Sequence, residues 1–264
     1  MTQQPTMNEA QRERYSRQIL FSGIGEEGQE ALLSSSTVVV GVGALGSHAA
    51  ELLVRSGLGR VRLIDPDEVE LSNLQRQALF DEDDVRENRK KAVAAARKLR
   101  SINSTVEVEP IVVRMEPSNA VALLEGFDLV LDCTDNFEAR YILNDACFKL
   151  GIPWVYTGVA GAYGMSATFV PGRTPCLQCV LGREPPKGKA LTAETSGIIA
   201  PIVRFMSAFA VAEGLKILTG KGKLNDGLLY VDLWNDSWEK LSFPPKDPDC
   251  PVCKGIYRFL EGEN

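Results

Sequence analysis

Short runs of β-branched residues alternate with helical patterns over roughly the first 160 positions. Thr37 to Val42 (TVVVGV) predicts a strand, a glycine-rich turn follows, and Ser47 to Ser56 carries the apolar spacing of a helix. Val61 to Ile64 is a second strand ending in Asp65, Ala92 to Leu99 an alanine-rich helix, and Val106 to Val113 another extended run. Phe127 to Cys133 reads as a strand, Phe137 to Leu150 as a helix and Pro153 to Thr157 as the strand beyond it. Alternation of this kind implies crossover connections, and so an α/β fold with a Rossmann-like, doubly wound, mainly parallel sheet.

The rhythm then changes. Gly164 to Val170, Leu228 to Trp234 and Trp238 to Phe243 look like strands, with one helix, Ile198 to Leu218, among them. That pattern fits an antiparallel extension of the same sheet. We expect a single domain over 9–264, with a nucleotide-binding half at about 12–160 and an antiparallel half at about 161–264. Gly182 to Gly197 (GREPPKGKALTAETSG) has no apolar periodicity and reads as a mobile surface segment. Arg204, Glu213 and Lys216 interrupt the apolar run of Ile198 to Leu218, so it is expected to be a buried core helix and not a membrane span.

Composition narrows the chemistry. With 264 residues, 44% hydrophobic and 24% charged, the chain has the make-up of a globular protein. Its formal charge of -6 advertises no basic face for duplex phosphates, so nucleic acid is not expected as a partner. The polar start, MTQQPTMNEAQRERYSRQ, lacks the apolar core of an export signal, and a cytoplasmic location is expected. His48 is the one histidine, which leaves a Ser-His-Asp hydrolase or a histidine-rich metal site without parts. We read it as a packed or capping residue.

Gly41-Val42-Gly43-Ala44-Leu45-Gly46 follows the first strand and opens the first helix, and Asp65 stands 19 positions after Gly46. Glycines allow a phosphate close to the backbone, the helix start offers free N–H groups, and the carboxylate suits ribose hydroxyls. A triphosphate also needs cations, which Arg76 and Lys91 supply, although Lys90 and Lys91 by themselves are also what a solvated helix end looks like. Asp132-Cys-Thr-Asp135-Asn136 sits where the fourth strand ends, at the carboxyl edge of the sheet, and Asp135 can there hold Mg2+ against phosphates; Asp135 and Asn136 can equally cap the following helix.

Cys176-Leu-Gln-Cys179 and Cys250-Pro-Val-Cys253 are two C-x-x-C knuckles that together can close a tetrahedral Zn2+ site. Four thiolates leave no place for a reacting water, so the zinc would be structural. The 70 residues from 180 to 249 make the metal a staple for the carboxyl-terminal part, and a redox pair is the other reading. Cys133 and Cys147 fall in a strand and an apolar helix and are read as buried thiols.

Taken together, these motifs resemble the ThiF/MoeB/HesA adenylyltransferases, relatives of the ubiquitin-activating enzymes. Arg14-Tyr-Ser-Arg17-Gln-Ile-Leu, GVGALG, Asp65-Pro-Asp67, Ser72-Asn-Leu-Gln-Arg76-Gln, Asp132-Cys-Thr-Asp135-Asn136-Phe and both C-x-x-C pairs occur in that family's order, from about Arg14 to Cys253. The resemblance implies that Mg-ATP and the Gly-Gly tail of a small ubiquitin-like sulfur carrier protein are bound, and that the tail carboxylate is joined to AMP with release of pyrophosphate. It implies a homodimer in which Arg17 reaches the phosphates of the partner subunit's ATP. Asp65 would hold the ribose, Asn73, Arg76 and Lys91 the phosphates, and Asp135 the magnesium; Asp67 and Asn136 belong to the same ATP-binding set. The family's lead-in to its zinc resembles Pro-Gly-Arg-Thr-Pro before Cys176.

Two departures shape the expectation. Some relatives carry a loop cysteine that links covalently to the carrier or a sulfur donor; here Ala193 takes that place, so adenylation alone is expected, with sulfur from a separate donor protein. The stretch from Val85 to Lys91 is two residues longer than usual, which makes Lys90 an alternative to Lys91. The chain ends soon after Cys253, so no appended sulfurtransferase domain is expected. Thiamine, molybdopterin and other sulfur-transfer pathways all use such domains. Adenylation of another peptide, an NAD-dependent oxidoreductase and a non-catalytic scaffold are the competing readings.

Overall fold

The structure is a computed structural model, described here for residues 7–183 and 193–261. Its strands are β1 (Ser36–Val40), β2 (Arg60–Ile64), β3 (Glu107–Ile111), β4 (Leu129–Asp132), β5 (Trp154–Ala160), β6 (Tyr163–Phe169), β7 (Gly227–Asp232) and β8 (Ser237–Ser242). They form one mixed sheet in the order β3-β2-β1-β4-β5-β6-β7-β8. The pairings from β3 to β5 are parallel, and those from β5 to β8 are antiparallel. Both the parallel half and its antiparallel extension follow the expected pattern. The helices are α1 (Glu9–Ile19), α2 (Gly25–Leu33), α3 (Ala44–Ser56), α4 (Glu82–Arg86), α5 (Lys91–Ile102), α6 (Ala120–Leu124), α7 (Phe137–Leu150), α8 (Leu177–Leu181), α9 (Ala193–Ser196), α10 (Ala200–Thr219) and α11 (Arg258–Glu261).

Helices cover both faces of the sheet. Because successive strand side chains point to opposite faces, Val39 packs with Leu32 of α2, Leu53 of α3, Leu99 of α5 and Met206 of α10. Its neighbours Val38 and Val40 pack on the other side with Leu124 of α6, Tyr141 of α7 and Leu177 of α8. Burial on both faces explains why β1 and β4 read as continuous apolar runs without alternation. The helix expected at Ile198 to Leu218 is α10, and it lies in the core as expected. Gly214 lets it press against β4, where a Cβ would stand 2.7 Å from Leu129 Cδ2. Its buried Glu213 accepts from Thr168 Oγ1 at 2.8 Å and from the Asn225 N–H at 2.7 Å. No helix among the described residues is long and apolar enough to cross a membrane.

Several expectations need correction. The strand at Thr37 to Val42 stops at Val40, because Gly41 turns the chain with φ +85°. The helix placed at Ser47 starts at Ala44, so the glycine turn runs straight into it. Helices α1 and α2 were not foreseen: α1 buries only Tyr15 and shows no apolar stripe. Its start is nonetheless signalled by a capping box, with Asn8 Oδ1 accepting from the Gln11 N–H at 2.9 Å and Gln11 Oε1 from the Asn8 N–H at 3.0 Å. More than one helix follows residue 160, since α8, α9 and α11 join α10; at four or five residues each they are too short to show a period. The proposed mobile segment lies largely at 184–192, outside the described residues.

The tightest point of the fold gives a test. A Cβ on Gly46 would fall 1.8 Å from the Gly41 carbonyl oxygen, which cannot move without shifting the turn. Gly46→Ala is expected to cost about 3 kcal/mol. Gly126→Ala, at φ +80° in open space, should cost only about 1–2 kcal/mol. Urea unfolding of both variants checks the ranking.

Candidate active site and thiolate cluster

A cleft of about 1150 Å³ opens at the carboxyl ends of β1, β2 and β4. This is the switch point of the sheet, where the crossovers after β1 and β4 leave to opposite faces. Gly41, Gly43, Ala44, Leu45, Asp65, Asp67, Asn73, Arg76, Lys91, Asp135 and Asn136 all line it. Two residues of the anticipated site do not. Gly46 packs behind the turn against the Gly41 carbonyl, and Arg17 is exposed on α1.

The glycine turn is fastened by backbone and by one carboxylate. The Gly41 N–H donates to the Ile64 carbonyl at 2.8 Å. No side chain caps α3 at Gly43, so the polar groups at the helix start are left for a ligand. Asp65, 4% exposed, accepts from the Val42 N–H at 2.7 Å and from the Asp67 N–H at 2.8 Å. Burial pushes its carboxyl up from the ordinary range, and those two donors pull against the shift.

Opposite the turn stand the cations. Lys91, nearly buried, reaches Asp67 Oδ2 at 3.2 Å. Lys90 turns away to Glu68 at 3.1 Å and is not on the cleft wall. Arg76 Nη1 donates to the Ser72 carbonyl at 2.8 Å, while its Nε, Asn73 Oδ1 and Gln77 Oε1 are buried without partners among the described residues. Unpaired buried polar atoms around one cleft mark a wall made for a polar ligand. His48 Nε2 lies 3.0 Å from the Arg76 carbonyl. That oxygen only accepts, so Nε2 donates. Burial lowers the His48 pKa, which keeps the ring neutral and fits a packing residue.

At the end of β4, Asp135 is exposed toward the cleft, and Asn136 caps α7 by accepting from the Ala139 N–H at 2.9 Å. Capping and a ligand-facing carboxylate are thus divided between the two residues. Cys133 and Cys147 are both buried, and burial raises their thiols well above the ordinary range.

Away from the cleft, α8 and the turn Val252–Lys254 bring four cysteines together. The Sγ atoms of Cys176, Cys179, Cys250 and Cys253 all lie within 4.8 Å of one another. Cys176 is 3.4 Å from Cys250 and 3.8 Å from Cys179, and Cys179 is 3.7 Å from Cys253. A disulfide needs about 2.05 Å. Four sulfurs held about 2.3 Å from one tetrahedral centre stand roughly 3.8 Å apart, so the spacing fits zinc.

The ThiF family matches residues 15–252 of the chain. The chain belongs to this family. It is 46% identical over 253 residues to the sulfur carrier protein ThiS adenylyltransferase of Bacillus subtilis, covering 95% of this chain and 74% of that protein. The sulfur carrier protein adenylyltransferase of Thermus thermophilus is 39% identical over 247 residues, covering 91% and 90%. Among solved structures, E. coli MccB with MccA-N7isoAsn superposes with a TM-score of 0.81 at 25% identity, over 93% of this chain and 75% of that one.

This ThiF-family cleft also contains Gln77, the last residue of the motif that supplied Asn73 and Arg76 but given no role there, and groups that the sequence patterns did not single out: Arg140, and Val113 to Ser118 after β3. Arg140 lies inside a helix, where nothing in the pattern separates it from a surface arginine.

The carboxylate of Asp145 joins the thiolate knuckle to the sheet layers. It accepts from the Phe259 N–H at 3.0 Å, Gln178 Nε2 at 3.2 Å and Asn144 Nδ2 at 3.3 Å. Among the described residues it forms no ion pair, and burial pushes its pKa up to about 6. The folded chain therefore holds this proton more tightly than the unfolded chain. The contribution to stability is complete below about pH 4 and is lost as pH rises through about 6. Asp145→Asn should remove that fall, read as the difference between variant and parent in urea unfolding across this range.

Proposed function

We propose that this chain is an ATP-dependent adenylyltransferase that joins AMP to the terminal Gly-Gly carboxylate of a small ubiquitin-like sulfur carrier protein and releases pyrophosphate. The observation that carries the reading is the meeting of Arg76, Lys91 and Asp135 around the glycine turn in one cleft. The named activities of the Bacillus and Thermus relatives support it. The chain acts as one adenylation domain over 9–264, and the activated carrier goes on to a thiocarboxylate with sulfur from a separate protein.

The chemistry suits the parts. A terminal carboxylate has a pKa of about 3.3–3.7 and is already ionised at neutral pH, so attack on the α-phosphorus needs no general base. One neutral, packed histidine is then no handicap. Two anions must be held in line, and catalysis reduces to positioning and charge compensation. The turn at Gly41 to Leu45 cradles phosphate, and Asp65 takes the ribose through lone pairs not used by Val42 and Asp67. Asn73, Arg76 and Lys91 hold the phosphate oxygens. Asp135 is the carboxylate that would hold magnesium, which when bound offsets charge on the phosphates. Arg17, exposed on α1, serves the cleft of a second copy in a homodimer. The four cysteines hold a structural zinc.

ATP–pyrophosphate exchange in the presence of Gly-Gly-tailed carriers is the deciding measurement. Exchange with at least one carrier is expected, and exchange with none, despite ATP binding, would overturn the carrier assignment. Asp135→Ala should reduce exchange by about 100-fold or more while leaving the circular dichroism spectrum unchanged.

The metal assignment has its own check. Elemental analysis should find one zinc per chain, and Cys250→Ser should lose it together with thermal stability. Zinc-free purified protein of full stability would remove the site.

A further inference from the structure

Arg140 projects from α7 at the wall of the cleft with its side chain 8% exposed, beside the fully buried Asp132 at the end of β4. Its Nε lies 3.3 Å from Asp132 Oδ2, and its Nη2 donates to the Thr134 carbonyl at 2.9 Å. The guanidinium stands 5.0 Å from the ring centres of Phe137 and Tyr156, which keep it from swinging away. The other Asp132 oxygen accepts from the Thr134 N–H at 2.9 Å and from its hydroxyl at 2.7 Å. Thr134 is thus held at its amide, its hydroxyl and its carbonyl, two by Asp132 and one by Arg140. Asn136 is fixed as the cap of α7. Between these two anchored residues stands Asp135, whose carboxylate, among the described residues, accepts only from the Asn136 amide, at 3.3 Å.

A buried arginine–aspartate pair adds little net stability, because the desolvation of both charges offsets their attraction. What this pair supplies is geometry: it closes on the one residue that precedes the cleft-facing carboxylate. We propose that Arg140, together with Asp132, is a positioning residue for Asp135, fixing the Thr134–Asp135 peptide so that the carboxylate meets the divalent cation carried by the nucleotide. This rests on Asp135 being the cation's ligand. Arg140 acts through the loop and makes no contact with the cation.

Manganese, used as the probe, separates this role from a loss of folded protein. Its affinity is measured by electron paramagnetic resonance with the full chain and a saturating non-hydrolysable ATP analogue, alongside the affinity of that analogue without metal. Arg140→Lys keeps the charge beside Asp132 but cannot also hold the Thr134 carbonyl. It should weaken manganese binding by about tenfold or more, as loss of a ligand's support does, and weaken metal-free nucleotide binding by a clearly smaller factor. The double variant Asp132→Asn/Arg140→Gln removes both buried charges and should weaken manganese equally, so the test survives if the single variant folds poorly. Asp135→Asn, run in parallel, should weaken it at least as much. Normal manganese affinity in the folded Arg140 variants, with Asp135→Asn impaired, would overturn the positioning role alone. Normal affinity in Asp135→Asn would remove the ligand assignment and the positioning role with it.

Discussion

The cleft depends on two places where the backbone has no room for a side chain. Gly46 brings the first turn of α3 against the Gly41 carbonyl, where a methyl group would stand at 1.8 Å. Gly41 in turn lies against the loop after β4, where a Cβ would meet the Cys133 carbonyl oxygen at 2.7 Å. These contacts draw the loops that follow β1 and β4 together, and the bond from the Val42 N–H to Asp65 adds the loop after β2. Three loops therefore share one floor made mostly of backbone. Side chains only furnish its walls, which is why the floor can approach a phosphate more closely than any side-chain surface would allow.

The cations on those walls are held before a ligand arrives. Lys91 rests on Asp67, Arg76 on the Ser72 carbonyl, and Arg140 on Asp132. Their partners differ in kind, and the difference sets what each cation can do. Arg76 is tied through a neutral carbonyl and keeps its full charge for the cleft, and His48 steadies its backbone from behind. Lys91 faces a half-exposed carboxylate that a phosphate can partly replace. Arg140 is matched by a buried carboxylate, so its charge is spent locally and its contribution is geometric. An acidic chain of net charge -6 thus presents cations where they matter, arranged in advance of any reaction.

How much of this could be read from the chain follows the physics of each element. The doubly buried strands announced themselves as β-branched runs, and α7 spans the expected Phe137 to Leu150; in the structure both its ends are set locally, by Asn136 as cap and Gly151 in the left-handed conformation as stop. Helix α1 was not foreseen, because one buried residue, Tyr15, gives no period; the Asn8–Gln11 box was the available sign. The cleft-lining residues stood out where they belonged to spaced motifs. Arg140 did not, and Gln77 closed a motif without being given a role, since their importance comes from tertiary neighbours: Asp132 lies eight positions away on another element, and Gln77 becomes a wall only when the turn at Gly43 packs beside it. Local sequence records backbone demands well and buried pairings poorly.

Helix α7 ties the two chemical centres together. Its first turns carry the Asn136 cap and Arg140 at the cleft, and its middle holds α8 through Asn144, which accepts from the Leu177 N–H at 2.9 Å, and α11 through Asp145. The ring of Phe259 packs 5.0 Å from that of Tyr141 along the same face. The four clustered cysteines lie at the other end of these contacts, and none of them lines the cleft. A zinc ion held by them, as proposed, would restrain α8 and the carboxyl-terminal segment against α7, the helix that supports the loop at its start. The cysteine cluster and the cleft are then linked through one helix, α7, whose start meets the loop after β4 and whose middle meets the carboxyl-terminal part of the chain.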